Sequence, residues 1–222
     1  MNNSVTNTAR LLGAGLRALL VLTLVTGVLY PLVVTGIAQG LFPDKANGSE
    51  IEADGRGVGS SLIGQAYNLP LKEGQETPAP DLKWFQGRPQ NGLGTNSVNT
   101  RYQLILSGAT NRSGDDEELI QWVRDAKAAV VKDNSTDTYE VKPSQVPADA
   151  VTSSGSGLDP DISPRYADLQ VHRVAERNGL STAQVRKLVE EHTEGRTLGF
   201  MGEPRVNVLK LNIALEELAA KS

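Results

Sequence analysis

The residues best suited to chemistry form a serine- and glycine-rich run, Ser153-Ser154-Gly155-Ser156-Gly157, which leads to Asp159 and Asp161. A nucleophilic serine needs a base within hydrogen-bond reach, and many hydrolases hold that serine in a Gly-x-Ser-x-Gly turn. The run contains no such turn with a base beside it. It therefore favours a turn-forming loop, and a hydrolase acting through residues 153–161 is the alternative hypothesis.

The two histidines do not form a metal-binding pattern. His172 and His192 are 20 residues apart and lack the i, i+4 spacing of a helical metal pair. The sequence contains no cysteine, which excludes disulfides, thiol catalysis and cysteine-ligated metals. We therefore predict no catalytic residue and no metal site.

A glycine-rich segment, Gly55-Arg56-Gly57-Val58-Gly59, is the nearest approach to a nucleotide-binding loop. It lacks the third-glycine spacing of a dinucleotide fingerprint, and no Gly-x-x-x-x-Gly-Lys-Ser/Thr motif occurs in the chain. The residues from Pro43 to Gly59 are polar and glycine-rich, which predicts a linker. The sequence thus identifies no cofactor-binding residue, and we predict no bound cofactor.

The distribution of charge argues against nucleic acid as a partner. The chain has 22 basic and 26 acidic residues, and residues 1–42 contain Arg10 and Arg17 but no acid, so residues 43–222 carry a net charge of −6. Nucleic-acid binding depends largely on neutralising phosphates. Residues 167–192 have the pattern of a helix-turn-helix, but their acidic and basic side chains nearly cancel, which disfavours contact with DNA. The acidic surface would instead attract cations mildly.

A long apolar segment near the N-terminus predicts a transmembrane helix. From Ala18 to Phe42 there are 25 residues without a charged side chain, and about 20 apolar residues cross a bilayer core of roughly 30 Å. The apolar part of a signal peptide, the alternative, is usually only about 7–15 residues long. Pro31 predicts a kink, and Gly27 and Gly36 would allow another helix to pack closely.

The flanking charges predict the orientation of this helix. Arg10 and Arg17 precede it, whereas Lys45 follows it beside Asp44. Positive charge tends to remain in the cytoplasm. We therefore predict a cytoplasmic N-terminus over residues 1–17, one transmembrane helix over residues 18–42 and an extracytoplasmic domain over residues 43–222, in a cell-membrane protein.

The soluble domain has the sequence signals of an α+β fold. Apolar spacing and capping residues predict four helices: residues 115–132, a helix capped by Ser163 with Pro164 first and ending at Asn178-Gly179, a helix opened by the capping box Ser181–Gln184, and residues 211–220. Residues 101–106, 138–141 and 205–209 are predicted strands. The overall prediction is a single N-terminal transmembrane helix followed by one soluble α+β domain.

Several motifs resemble one known family. The run Val151-Thr-Ser-Ser-Gly-Ser-Gly-Leu-Asp-Pro-Asp-Ile-Ser-Pro164, together with His192-Thr-Glu-Gly-Arg196 and Gly202-Glu-Pro-Arg-Val-Asn-Val-Leu209, is similar to the C subunit of the bacterial Kdp potassium-transporting P-type ATPase, the KdpC family. Phe85-Gln-Gly-Arg-Pro89 and the N-terminal apolar segment occur in the matching order. The resemblance extends over nearly the whole chain and is densest from residue 151 to residue 215.

The resemblance implies an accessory subunit that is not an enzyme on its own. Its partners would be a channel-like potassium-binding subunit, a P-type ATPase catalytic subunit and a small peptide subunit. The family's assigned role is that of a catalytic chaperone that raises the ATP affinity of the ATPase subunit, so ATP is implied through the complex. Direct contact with ATP conflicts with an extracytoplasmic domain, and two hypotheses stay open: the opposite orientation, or coupling through the membrane.

Two other functions remain as alternatives on sequence grounds. The first is a tethered extracytoplasmic binding or sensor domain without a pump partner. The second is the hydrolase acting through residues 153–161, tethered to the membrane.

Overall fold

The computed structural model describes residues 2–74, 78–89, 93–95, 103–105, 107–108 and 111–221. The chain divides into two compact units, Met1–Glu50 and Ile51–Ser222. The first unit is helical, and the second contains helices and small antiparallel sheets. The predicted α+β class is therefore confirmed.

The first unit is dominated by one apolar helix. Helix α1 (Asn2–Leu24) continues through a π-helical turn (Val25–Leu29) into helix α2 (Tyr30–Leu41). Ser4–Leu41 is the one segment among the described residues that is long and apolar enough to cross a membrane. In the π-turn, the amide of Tyr30 bonds to the carbonyl of Val25, five residues back. This local widening directly precedes Pro31, whose ring has no N–H to continue the helical ladder.

The prediction of a linker from Pro43 to Gly59 is largely wrong, because most of these residues form a short helix and two strands. Helix α3 (Pro43–Ala46) follows α2, and strands β1 (Glu50–Ala53) and β2 (Arg56–Ser60) pair to form a hairpin. Asp54 and Gly55 form its turn, with φ of 50° and 70°. Two successive positive φ values are what a tight two-residue hairpin needs, and Asp-Gly provides them at low cost.

The middle of the chain is described only in part. Strands β3 (Leu93–Thr95) and β4 (Gln103–Ile105) form a second antiparallel pair. Strand β4 lies inside the strand predicted at residues 101–106. Residues 101, 102 and 106 of that prediction lie outside the described part of the chain. Helix α4 (Glu117–Asn134) begins two residues later than predicted because the side chain of Asp116 caps it, accepting from the amide of Leu119 at 2.9 Å.

The C-terminal half contains most of the core. It comprises strand β5 (Asp161–Ile162), helix α5 (Pro164–Asn178), helix α6 (Thr182–Glu191), strands β6 (Thr193–Glu194) and β7 (Arg205–Asn207), and helix α7 (Val208–Ala220). The central strand β7 pairs antiparallel with both β5 and β6. Burying apolar faces of α5, α6 and α7 provides the main driving force for this half.

The capping signals of α5 and α6 are confirmed. Ser163 accepts from the amide of Tyr166 at 3.1 Å, and Gly179 ends α5 with φ of 66°. The Ser181–Gln184 capping box is complete. The predicted apolar face of α5 is buried in the hydrophobic core. The α5 residues of this face are Ala167, Val171, Val174 and Ala175.

Two strand predictions need correction. Residues 138–141 do not form a strand: Thr136 and Tyr139 make an isolated bridge in a turn, and Val141 is buried in the loop that follows. The strand predicted at 205–209 ends at Asn207, because the Asn207 side chain caps α7 by accepting from the amide of Lys210 at 3.2 Å. Helix α7 therefore begins three residues earlier than predicted.

Candidate functional site

The segment from Val151 to Pro164 is a stapled loop, and Arg88 holds it in place. The Arg88 guanidinium lies 3.1 Å from Oδ2 of Asp159 and donates to the carbonyls of Thr152 and Ser153 at 3.4 and 3.3 Å. Gly157 is buried and adopts a φ of 71°, a conformation that disfavours residues with a Cβ. Arg88 thus ties together the two ends of the loop, through Thr152 and Ser153 at one end and Asp159 at the other.

The hydroxyls of Ser154 and Ser156 contact each other, whereas the hydroxyl of Ser163 donates to Oδ1 of Asp149 at 3.0 Å. Oγ of Ser154 lies 3.2 Å from Oγ of Ser156, which in turn accepts from the amide of Leu158 at 3.1 Å. The ring of His172 stacks on Tyr139 with centroids 3.8 Å apart. Nδ1 of His192 contacts the carbonyl of Leu188 at 2.9 Å. The geometry therefore does not bring either histidine to the serines as a nucleophilic mechanism would require.

An ionic cluster ties the end of this loop to the small sheet. Arg205 on β7 contacts Asp161 at 3.1 Å and Glu194 at 2.8 Å, and Asn207 donates to Asp161 at 3.2 Å. Burial raises the pKa of Asp161, although the Asn207 hydrogen bond and Arg205 oppose that rise. Asp159 and Asp161 are both engaged within the domain, so any mild attraction for cations would come mainly from other acids. No group of three or more metal-ligating side chains suited to a metal ion occurs among the described residues.

Among the described residues, the most deeply buried charged side chain is that of Arg173 on α5. Its guanidinium donates to Asn134 Oδ1 at 2.9 Å, to Gln170 Oε1 at 2.6 Å and to the carbonyl of Trp84 at 2.9 Å, and it also bonds to the carbonyl of Leu82. Neutral oxygens therefore solvate the cation, and burial lowers its pKa to about 10. Burial likewise raises the pKa of the neighbouring Tyr166 to about 12.

This polar network connects α5 to the segment before residue 90. Gln170 accepts from the amide of Gln86 at 2.7 Å and donates to its carbonyl at 3.0 Å. Sequence reasoning missed the network, although one signal was present: Gln170 and Arg173 interrupt the apolar pattern of α5 next to Val171 and Val174. Polar residues at such positions must find partners when they are buried.

A groove of about 640 Å³ lies between α4 and the start of the stapled loop. Its side chains are mainly apolar, and Trp122 projects into it. The cation in its lining, Arg112, lies 4.7 Å from the Trp122 ring and already pairs with Asp116 at 3.1 Å and Glu118 at 2.7 Å. Within the described part of the chain, the one cation that lines this groove is therefore already neutralised by carboxylates and is not free to bind a phosphate.

The fold defines a class of protein: one candidate membrane-spanning helix followed by an α+β domain. The sequence profile of the KdpC family, described as the c chain of the K+-transporting ATPase, matches residues 12–217. The chain therefore belongs to the KdpC family. It is a non-catalytic subunit of a potassium-transporting P-type ATPase complex and a membrane protein.

Individual relatives match this chain over all or nearly all of their lengths. A potassium-transporting ATPase KdpC subunit of Streptomyces avermitilis is 82% identical over 222 residues, covering all of both chains. The subunit of the same name from Streptomyces coelicolor is 78% identical over 99% of this chain and 98% of its own. That of Gemmatimonas aurantiaca is 46% identical over 93% of this chain and 94% of its own. Family membership favours the pump subunit over a sensor domain without a pump.

Proposed function

We propose that the chain stabilises an ATP-driven potassium uptake pump and raises the affinity of its ATPase subunit for ATP, in the manner of a catalytic chaperone. Its partners would be the channel-like potassium-binding subunit, the P-type ATPase catalytic subunit and the small peptide subunit. Membership in the KdpC family along residues 12–217 is the observation that carries this proposal. The stapled loop and the buried network around Arg173 support a packing role, since both stiffen the domain without forming a reaction centre.

The effect on ATP affinity would be indirect. The cations beside the stapled loop and the α4 groove are already paired: Arg88 with Asp159, and Arg112 with Asp116. A bound triphosphate would have to displace these carboxylates, which disfavours direct binding. Coupling therefore requires that the subunit favour one global state of the pump over another.

Calorimetry on the full-length chain in mild detergent tests this indirect mechanism. We expect ATP binding no tighter than a dissociation constant on the order of 1 mM, worth about 4 kcal/mol. Micromolar binding by the chain alone would contradict indirect coupling and would identify a nucleotide site within this subunit.

The same proposal includes an orientation. We place residues 1–17 in the cytoplasm and residues 43–222 outside the membrane, because Arg10 and Arg17 precede the apolar helix. Protease added to intact cells with a permeabilised outer layer should then digest the soluble domain. Digestion only in inverted vesicles would reverse the orientation and make direct contact with ATP feasible.

A further inference from the structure

A cavity of about 300 Å³ lies between the hairpin of β1 and β2 and helix α7, and we call it the α7 cavity. Ala53 and Val58 of the hairpin line one side, and Leu209 and Ile213 of α7 line another. Sites for small molecules are typically cavities of this kind, with apolar walls and a few polar groups that select the ligand. The polar and aromatic groups of the α7 cavity therefore indicate what it binds.

Two aromatic rings contribute to the lining of the α7 cavity. The centroids of the Tyr67 and Trp84 rings lie 6.0 Å apart, and the ring planes are inclined at 44°. Trp84 already holds one ammonium group, since Nζ of Lys83 lies 4.9 Å from the ring centroid, and Lys83 is not part of the described lining. The face of an aromatic ring attracts cations electrostatically. This wall therefore favours a positively charged ligand.

The one charged side chain in the described lining is Glu216 on α7. No described residue forms an ion pair with its carboxylate, whereas the carboxylate of the next residue, Glu217, lies 3.9 Å from Lys221. No basic side chain belongs to the described lining, so the cavity offers an anion no opposite charge. A carboxylate beside aromatic and apolar groups instead suits an organic cation.

The hydroxyl of Tyr67 is buried and has no hydrogen-bond partner among the described residues. Burial raises the pKa of Tyr67, Asn212 opposes that rise, and the negative charge of Glu216 adds to it. A buried polar group without a partner is costly, so a donor that reaches this oxygen stabilises the folded chain. A primary ammonium group has three N–H donors, which allows it to serve Tyr67 and Glu216 together.

The lining suits an organic cation better than a potassium ion. Potassium ions are held by several oxygen atoms that replace the hydration shell. Most of the described lining of the α7 cavity is carbon, and the side-chain oxygen of Asn212 already accepts from the amide of Phe85 at 2.9 Å. The side chain of Gln65 is also held, because Nε2 donates to the carbonyl of Val58 at 2.8 Å. An alkyl group, in contrast, gains by covering the apolar walls.

We propose that the α7 cavity binds a small primary alkylammonium ion. Its ammonium group donates to the Glu216 carboxylate and the Tyr67 oxygen and lies beside the Trp84 ring. Its alkyl group packs against Leu209 and Ile213. This site is separate from the stapled loop and from the α4 groove, and it does not depend on the proposed effect on ATP affinity.

Titration of the full-length chain in mild detergent with n-butylammonium chloride tests this proposal. Trp84 and Trp122 are the two tryptophans of the chain, so a Trp122→Phe background lets fluorescence report on Trp84 alone. We expect a saturable change with n-butylammonium and none with n-butanol or potassium chloride at the same concentrations. The absence of a saturable change would overturn the proposal, and so would an equal response to n-butanol or to potassium chloride.

Three variants in this background identify the groups that hold the ligand. Glu216→Gln keeps the size of the side chain and removes its charge, so the dissociation constant should rise about tenfold or more. Glu217→Gln, at the next position on α7, is the matched control and should leave the dissociation constant unchanged. Tyr67→Phe removes the orphaned hydroxyl, so the free chain should melt at or above the wild-type temperature while its affinity for n-butylammonium falls.

The rise in melting temperature with a loss of affinity separates a ligand contact from a defect in folding. Equal dissociation constants for Glu216→Gln and Glu217→Gln would overturn the proposal. An unchanged dissociation constant in Tyr67→Phe would overturn it as well, because the assigned hydrogen bond to the Tyr67 oxygen would then be absent.

Discussion

The side-chain amide of Asn212 pairs with both backbone polar groups of Phe85. Asn212 Oδ1 accepts from the Phe85 amide at 2.9 Å, and Nδ2 donates to the Phe85 carbonyl at 3.0 Å. Both residues are buried. The Asn212 side chain on α7 thus makes the two backbone hydrogen bonds to Phe85 that a neighbouring β-strand would otherwise make. The two residues are 127 positions apart in the chain.

Replacing Asn212 with leucine should therefore destabilise the domain strongly. Asn212→Leu leaves a buried amide and a buried carbonyl without partners, which costs about 1–3 kcal/mol for each group. Chemical denaturation followed by circular dichroism measures the loss. Glu217→Leu, on the exposed part of the same helix, is the matched control and should change stability by less than about 0.5 kcal/mol. A loss below 1 kcal/mol in Asn212→Leu would show that the pairing is dispensable.

The buried guanidinium of Arg173 should not be replaceable by an ammonium group. A lysine there keeps the charge but cannot reach Asn134, Gln170 and the Trp84 carbonyl together, as the planar guanidinium does. Arg173→Lys should lower the free energy of unfolding by about 3 kcal/mol or more. Arg177→Lys, exposed one turn later on α5, should have little effect. Equal stability of the two variants would refute the assigned role of the network.

Two glycines of the stapled loop should respond differently to alanine. Gly157 has a φ of 71°, so Gly157→Ala should cost about 1–2 kcal/mol. A Cβ added at Gly155 meets no atom within 4 Å, so Gly155→Ala should be tolerated. Thermal unfolding of the two full-length variants makes the comparison. A more harmful change at Gly155 than at Gly157 would contradict the described loop conformation.

Acid should weaken the domain partly through His172. Burial lowers the pKa of His172 below its ordinary value of 6.5, and nearby Arg186 lowers it further, whereas Asp168 opposes the shift. The folded state therefore binds the proton less well than the unfolded state does, and stability falls as the pH drops through 6.5 and below. His172→Phe keeps a flat ring to stack on Tyr139 but cannot titrate.

The expected result is a smaller loss of stability between pH 7 and pH 5 in His172→Phe than in the wild type. The difference between the two proteins is the quantity to measure, because other groups titrate equally in both. Parallel stability curves would show that His172 does not contribute to acid sensitivity.

Local signals made part of this fold predictable. Ser163 and Pro164 mark the start of helix α5, and Gly179 marks its end. Ser181 and Gln184 mark the start of helix α6. The structure confirms each of these signals. The hairpin of β1 and β2 was also marked locally, by Asp54-Gly55, but the surrounding glycines led to the prediction of a linker. The strand predicted at 138–141 failed because residues of high β propensity are also used to fill a core from a loop, as Val141 does.

The contacts that hold the candidate sites together were not predictable in this way. Arg88 meets Asp159 across 71 residues, and Asn212 meets Phe85 across 127. Such pairs follow from the packing of distant elements, and nothing in the local sequence of either partner specifies the other. The turn at Leu198 is a similar case, because the positive φ of Leu198 contradicts the preference of leucine.

The proposed rise in the ATP affinity of the pump can be tested by measuring that affinity with and without this subunit. Potassium-stimulated ATPase activity is measured as a function of ATP concentration for the partner subunits alone and after adding the purified full-length chain. We expect the chain to lower the KM for ATP severalfold. An identical KM for ATP in the presence and absence of a chain that demonstrably co-purifies with its partners would contradict it.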